Sequence, residues 1–286
     1  MSREAEPASG SEPEPGSQPE PAFAASPEST PDAASDSAGV PWAGRRFEPN
    51  AHAGDDGSAD PALAFALTSF AAGEGGEQAV VDALRAARVL VPLVAERGDE
   101  GIGAHGQLVD KTQELSIVTV AAPDGRAVLP VFSSVETMSR WDASARPIPV
   151  DGRRAALSAA GEQTELIVID PGSPTEFVVR RPAVWAIAQE QAWEPSPLSS
   201  EVYLALQASV AVELAVLDLE VAPGDPTARL RGPELVVRLH LIDGLSKDEL
   251  DAVLQRLARR WAADDRIAVL VDSLKVSLVR SAPGAA

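Results

Sequence analysis

The chain has 286 residues, of which 45% are hydrophobic, so it is long enough for two domains with real cores. Its formal net charge of −19 disfavours nucleic acid and anionic membranes as partners, because both need clustered Lys and Arg. The absence of cysteine excludes disulfides, thiolate nucleophiles and Cys-based metal sites. The first residues lack the apolar core of a signal peptide, and no apolar run reaches the roughly 20 residues that a membrane helix needs. We therefore expect a soluble cytoplasmic protein.

Residues 1–60 differ in composition from the rest of the chain. Pro, Ser, Glu, Asp, Ala and Gly dominate, and twelve acidic residues stand against three arginines. Few apolar side chains are available there to offset the ordering entropy of about 1–2 kcal/mol per residue. The composition predicts a disordered acidic tail.

One segment of this tail, residues 39–50, has a different character. Trp42 and Phe47 flank the adjacent pair Arg45 and Arg46. Trp and Arg are the residue types that dominate binding hot spots. We interpret these four residues as candidate interaction residues of a short motif that docks on the folded part of the same chain or on another protein. The competing interpretation is a linker with incidental aromatic residues.

The first predicted elements after the tail are helical. Residues 61–76 predict a short helix, with Pro at its first turn, followed by a linker. A second helix is predicted over 78–87 and a strand over 89–94, where Pro92 indicates an edge or a bulge because it cannot donate to a ladder. The polar stretch 96–114 predicts a long exposed loop.

The region up to residue 190 continues with mixed elements. A capping box at Ser133 and Glu136 predicts a helix start. The apolar run 166–169 predicts a strand that is buried on both faces, and Asp170 with Gly172 predicts the turn after it. The other elements predicted here are strands at 115–121, 127–132, 148–150 and 177–179, and helices around 135–141, 151–160 and 182–189.

This ordered series of phrases carries a family resemblance. The sequence reads VLVPLV, LPVFSS, MSRW, PIPV and LIVIDPGS across about 77–190. In this order it resembles the N-terminal domain of the SseB family, bacterial proteins named for enhanced serine sensitivity. In that family Asn usually precedes the Pro-Gly turn, and here Asp170 stands in its place. Both residues form Asx-turns. The resemblance brings no agreed catalytic residue.

The second predicted unit, 195–280, has the order helix, strand, strand, helix, strand, strand. The alternation of apolar residues changes parity near Val216, which predicts a bulge or sharp twist there. A capping box at Ser246 and Glu249 opens a helix whose apolar stripe includes Trp261. The unit resembles the C-terminal domain that some SseB proteins carry. The other elements predicted here are a helix at 198–210 and strands at 235–241, 267–271 and 274–279.

Together these elements predict an α+β fold. A disordered tail precedes two small mixed domains, at 77–190 and 195–280, with largely antiparallel sheets. The sequence leaves the oligomeric state open.

Few residues in the chain suggest catalysis or ligand binding. The three histidines, His52, His105 and His240, fall in separate segments without ligand spacing, and no phosphate-binding or nucleophile motif is present. We therefore expect no catalytic, cofactor or metal residues, no cofactor, and a protein that is not an enzyme.

Two arginine pairs are the charge pattern most worth testing. Arg153 with Arg154 and Arg180 with Arg181 predict an anion contact on the first unit, for which the acidic tail is one candidate.

Two functional hypotheses follow. The leading one is a non-enzymatic SseB-family interaction or regulatory module whose contact element is the tail motif. The alternative, suggested by the family's name, is a metabolite-binding regulator or enzyme linked to amino-acid metabolism. A cleft lined by Arg and Asp170 favours the alternative, and an exposed apolar patch favours the interaction module.

Overall fold

The computed structural model describes residues 54–96, 100–102, 108–110, 114–161 and 164–280. Residues 1–53 of the predicted tail, which include its motif, and the two histidines His52 and His105 lie outside these residues. Residues 54–60, which the prediction also assigned to the disordered tail, are placed, and Asp55 pairs with Arg88 at 2.6 Å. The stretch Ala51–Ala286 forms one compact unit. Within the described ranges, no helix is long and apolar enough to cross a membrane. The division into two domains stays a prediction.

The α+β fold is confirmed, and polar side chains cap several of its helices. Asp60 accepts bonds from the backbone N–H groups of α1 at its first turn. Ser246 and Glu249 form the predicted capping box of α7. The helices are α1 (Pro61–Ala71), α2 (Glu77–Ala86), α3 (Val135–Trp141), α4 (Gly152–Gly161), α5 (Arg181–Ala188), α6 (Ser200–Val210), α7 (Lys247–Ala263) and α8 (Asp265–Leu270).

In the residues that the structure describes, the strands form four sheets, with orders β4-β1-β7, β5-β6-β8-β9, β2-β3 and β10-β11-β12. The pairs β6–β8 and β11–β12 are parallel, and the other pairs are antiparallel. The strands are β1 (Arg88–Glu96), β2 (Glu100–Ile102), β3 (Leu108–Asp110), β4 (Glu114–Ile117), β5 (Val120–Ala121), β6 (Ala127–Val131), β7 (Arg146–Asp151), β8 (Ile167–Ile169), β9 (Phe177–Val179), β10 (Val216–Pro223), β11 (Leu235–Leu241) and β12 (Leu274–Arg280).

Two predictions about the first sheet were wrong. The strand with Pro92 is central, since β1 lies between β4 and β7. On one side of β1, Leu90 is bridged to Phe132 and the pairing with β4 starts only at Leu93. Pro92 therefore lies in the gap between these two pairings, where no ladder needs its missing N–H. The predicted loop over 96–114 contains the short hairpin β2–β3.

The cap of α3 is shifted by one residue from its prediction. Ser134 caps the helix with Thr137 at the third position, instead of Ser133 with Glu136. The Ser133 hydroxyl is already committed, because it donates to the Asp170 carboxylate at 2.7 Å. The hydrogen bond to Asp170 therefore prevents Ser133 from capping α3, and Ser134 caps the helix instead.

The strand predicted over 267–271 is instead helix α8. Asp264 caps it by accepting a bond from the Arg266 backbone N–H, so the four successive apolar residues 267–270 enter a helix. The predicted bulge near Val216 is confirmed, since the β10–β11 register shifts between Val216 and Asp218.

Buried apolar side chains fall into two main clusters. One gathers α1, α2, α4 and α5 around strands β1, β6, β8 and β9. The other packs α6, α7 and α8 against the sheet β10-β11-β12. The β10–β11 loop reaches back onto the sheet β5-β6-β8-β9, where the Ala228 carbonyl accepts a bond from the Val178 backbone N–H and Leu230 packs against Val128, Val168 and Val178. This loop ties the two clusters together.

Candidate functional site

Arg180, at the start of α5, is the centre of a buried ion network. Its side chain is only 5% exposed, and its guanidinium donates to Asp225 at 2.8 Å and to Asp272 at 3.0 Å. Asp272 is also gripped by Arg126 through two bonds of 2.8 and 2.9 Å. We call Arg126, Arg180, Asp225 and Asp272 the arginine junction. It joins β9 and α5 to the β10–β11 loop and to the segment before β12.

The charges in the junction compensate one another. Burial acts to raise the pKa of Asp272, yet the bonds from Arg126 and Arg180 hold it below its ordinary value. Arg180 also donates to the Gly232 carbonyl at 3.0 Å, so its donors are directed at protein acceptors. A buried charge of this kind stabilises only when it is paired, and these ions are.

Two carboxyl groups beside the junction hold protons more tightly. Burial raises the pKa of Glu234, whose carboxylate accepts the Asp272 backbone N–H at 2.6 Å. Burial, and then the charge of Glu234, raises the pKa of Glu77 to about 7, against the opposing effect of Arg180. The edge of the junction therefore carries a group that titrates near neutral pH.

Arg181, the next residue, contacts the end of α8 through backbone carbonyls and not through carboxylates. One of its terminal nitrogens donates to the carbonyls of Ala268 and Val271, each at 2.8 Å. These carbonyls lie at the C-terminal end of α8, where a cation also suits the helix dipole. Arg181 therefore fixes α8 in place between two grooves.

The first groove, the tryptophan groove, has a volume of about 520 Å³ and lies between α5, residues 191–194 and α8. Trp185 is 43% exposed and Val269 is 63% exposed, so both offer apolar surface. Polar and acidic side chains complete the lining. The residues that line the groove include Trp185, Trp193, Glu194, Glu201 and Val269.

The second groove, the β12 groove, measures about 480 Å³ and lies between α7, α8 and β12. Leu254, Trp261 and Val276 are among its lining residues. Trp261 is 5% exposed, and its indole N–H donates to the Ser209 hydroxyl at 2.6 Å. Trp261 is therefore held as part of the core, in contrast to Trp185.

The structure separates the arginines that the sequence grouped as an anion contact. Arg180 and Arg181 lie at the start of α5. Arg153 lies in α4, and its side chain contacts the other end of α5, where it pairs with Glu190 at 2.7 Å. Arg154 is exposed. The anion contact stays a prediction, but Arg180 and Arg181 already donate to protein acceptors.

The remaining candidates are also placed. The Asp170 side chain is 2% exposed and accepts bonds from the backbone and hydroxyl of Ser133, so it points inward. His240 lies 3.1 Å from Glu220 on the neighbouring strand. In the part of the chain that the structure describes, no three His, Cys, Asp or Glu side chains group closely enough to hold a metal ion.

Sequence reasoning missed the tryptophan groove. The signal available was Trp185 and Trp193, eight positions apart around the end of a predicted helix and close to Glu194. Assigning 267–271 to a strand hid Val269, which only a helix places beside Trp185 in the same groove.

The comparisons with known proteins address the family. Residues 63–186 match the family model described as the SseB protein N-terminal domain. The match begins at α1, earlier than the resemblance at 77–190 indicated, and ends within α5. No curated protein and no solved structure shows a significant match to this chain. The C-terminal SseB-type domain stays a prediction. Residues 63–186 of this chain are therefore similar to the SseB N-terminal domain.

Proposed function

We propose that this protein is a non-enzymatic, cytoplasmic interaction module, and that the tryptophan groove binds an extended peptide segment with aromatic and basic residues. The observation that carries the proposal is the exposure of Trp185 beside Val269 in one groove. Burying such side chains against a ligand contributes roughly 1.5–3 kcal/mol each.

The groove has the composition of a protein interface. Its floor is apolar and aromatic, and its rim includes Gln189, Gln191 and Glu194. Protein interfaces share this division between an apolar centre and a polar rim, and Trp is enriched among their hot spots. The buried carboxylate of Asp170, by contrast, is turned away from solvent, which weakens the ligand cleft that the sequence had suggested.

Charge selects the ligand. Glu194 and Glu201 are exposed at the rim of the groove. Arg266 lies within electrostatic reach of Glu201 but is itself paired with Asp264 at 2.6 Å. The chain as a whole carries a formal charge of −19. Complementary potentials steer association and select partners, so a basic segment is favoured over an acidic one.

A second candidate is a metabolite-binding regulator of amino-acid metabolism. The volume of the tryptophan groove falls within the range of small-molecule sites, about 300–1,000 Å³. Arg181 lines the groove, and its positive charge suits a carboxylate, although one of its terminal nitrogens already donates to the Ala268 and Val271 carbonyls.

A peptide titration tests the proposal. A fluorescent twelve-residue peptide with two aromatic residues and two arginines is titrated with the full chain, beside a control peptide in which Glu replaces both arginines. The titration is repeated with the full-length W42A/F47A variant, because residues 39–50 carry the same side chains and compete. We expect the basic peptide to bind at least tenfold more tightly than the control. W185A and E194R/E201R should each lose at least tenfold in affinity.

The matched control is F65A, since Phe65 is 74% exposed on α1 and lies away from the groove. This variant should bind like the wild type. Failure of the peptide to bind either background, or equal binding to W185A, contradicts the proposal. A thermal shift with free serine or another amino acid that W185A abolishes supports the metabolite-binding alternative instead.

A further inference from the structure

The peptide chemistry that suits the tryptophan groove also occurs within this chain. We propose that the groove is the docking site of the chain's own segment 39–50, with its aromatic residues on the apolar floor and its arginines at the acidic rim. This inference rests on the proposed function of the groove and names its occupant. Docking in this way makes the tail a competitor that other ligands must displace.

Composition singles out this segment. Trp42 and Phe47 lie five positions apart and enclose Arg45 and Arg46, the one adjacent pair of basic residues in the first 53 positions. The rest of the tail is rich in Pro, Ser and acidic residues, which the acidic rim repels. Segment 39–50 is therefore the part of the tail whose charge and aromatic content complement the groove.

Contacts made by β1 and α2 connect the start of the described core to α5. Asp55 is ion-paired with Arg88 at 2.6 Å, and three residues earlier Arg85 contacts the Ala186 carbonyl at 3.5 Å. Ala186 lines the tryptophan groove. The eight residues 48–55 span up to about 26–29 Å when extended.

Attachment to the same chain favours occupancy. A short flexible linker gives an effective concentration in the millimolar range, so even a weak contact is populated in cis. A segment that orders only on contact binds reversibly. An incoming basic, aromatic peptide therefore has to compete with segment 39–50, and the tail sets the threshold for binding.

A spin label tests the contact directly. The chain contains no cysteine, so A43C carries a nitroxide label at a single position in the full-length protein. We expect the label to broaden the amide signals of Glu194 and Val269 and the indole signal of Trp185. R45E/R46E should remove most of this broadening, and adding E194R/E201R to that variant should restore at least half of it. E74R, at an exposed acidic position, is the control and should not restore it.

Each other outcome overturns the docking proposal. No broadening at the groove, or stronger broadening elsewhere, contradicts it. Broadening that appears only between a labelled chain and an isotope-labelled second chain assigns the groove to a second copy. The affinity of the groove for the external peptide shows whether only the docking of segment 39–50 fails or the groove does not bind peptides at all. If docking occurs, W42A/F47A should bind the peptide at least fivefold more tightly than the wild type. If wild type and variant bind it equally, the groove remains a peptide site but the tail is not its occupant.

Discussion

The arginine junction and the tryptophan groove are neighbours with opposite arrangements. In the junction a charged side chain, Arg180, is 5% exposed and fully engaged by carboxylates and a carbonyl. In the groove an aromatic side chain, Trp185, keeps 43% of its surface exposed. Buried charges are usually retained when they are paired, and exposed apolar surface usually indicates binding. The comparison shows that residue type alone would assign these two roles the wrong way round.

The largest expected effect breaks the junction. Replacing Arg180 with Ala leaves Asp225 and Asp272 without their shared buried cation, which should cost about 3–5 kcal/mol in the free energy of unfolding. Chemical denaturation of the full chain measures the loss. R154A is the matched control at an exposed arginine and should change stability by less than about 0.5 kcal/mol. A loss below about 1 kcal/mol for R180A would show that the junction is not structural.

Trp261, which lines the β12 groove, is a buried counterpart to the exposed Trp185. Trp261 is buried between α7 and the sheet, and W261A should destabilise the protein by about 3–5 kcal/mol. The measurement is again the denaturation midpoint at constant slope. A loss under about 1 kcal/mol would mean that the indole contributes little to this core.

Glu77 tests the edge of the junction through pH. Its pKa in the folded protein is raised to about 7 from an ordinary value of 4.5, mainly by burial. The stability linked to this carboxyl is therefore fully present below about pH 4.5 and is lost as the pH rises through 7. The charges that face it are Glu234 and Asp225, which add to the shift, and Arg180, which opposes it.

The variant E77Q removes this titration. Because Glu77 is only partly buried, we expect less than the full effect, and E77Q should be more stable than wild type by about 1–3 kcal/mol at pH 8. At pH 4 the two should differ little. Thermal unfolding across this pH range gives the answer, and an equal difference at both pH values would rule out the assigned titration.

The smallest effect on stability belongs to the groove. W185A should lower the free energy of unfolding by about 1–2 kcal/mol, less than W261A, because 43% of Trp185 is already exposed in the folded protein. The same variant should lose at least tenfold in peptide affinity. A large loss of stability would place Trp185 with Trp261 as a core residue and remove the contrast.

Local chemistry was enough to predict most elements of this fold. The capping box at Ser246 and the parity change at Val216 each depend on residues close in sequence, and both are confirmed. The errors arose where distant residues decide. Asp170 draws Ser133 away from the helix cap, and α8 forms where a run of apolar residues had predicted a strand.

The tryptophan groove could not be predicted from local sequence chemistry, because it too depends on residues that are distant in the sequence. The tryptophan groove brings residues of α5 beside α8, more than 80 positions later in the chain, and Arg181 holds α8 there. The sequence did indicate that Arg180 and Arg181 matter. It could not show that their charge is used within the core, because their acceptors lie 45 to 92 positions away.

The most direct test of the account is a map of where the peptide binds. The full-length W42A/F47A variant, labelled with ¹⁵N, is titrated with the basic aromatic peptide while its amide and indole signals are followed. We expect the signals of Trp185, Glu194 and Val269 to shift together and saturate, while those of Asp225 and of β12-groove residues such as Leu254 remain unchanged. Shifts confined to the β12 groove, or no saturable shift at all, would contradict the assignment of the tryptophan groove as the binding surface.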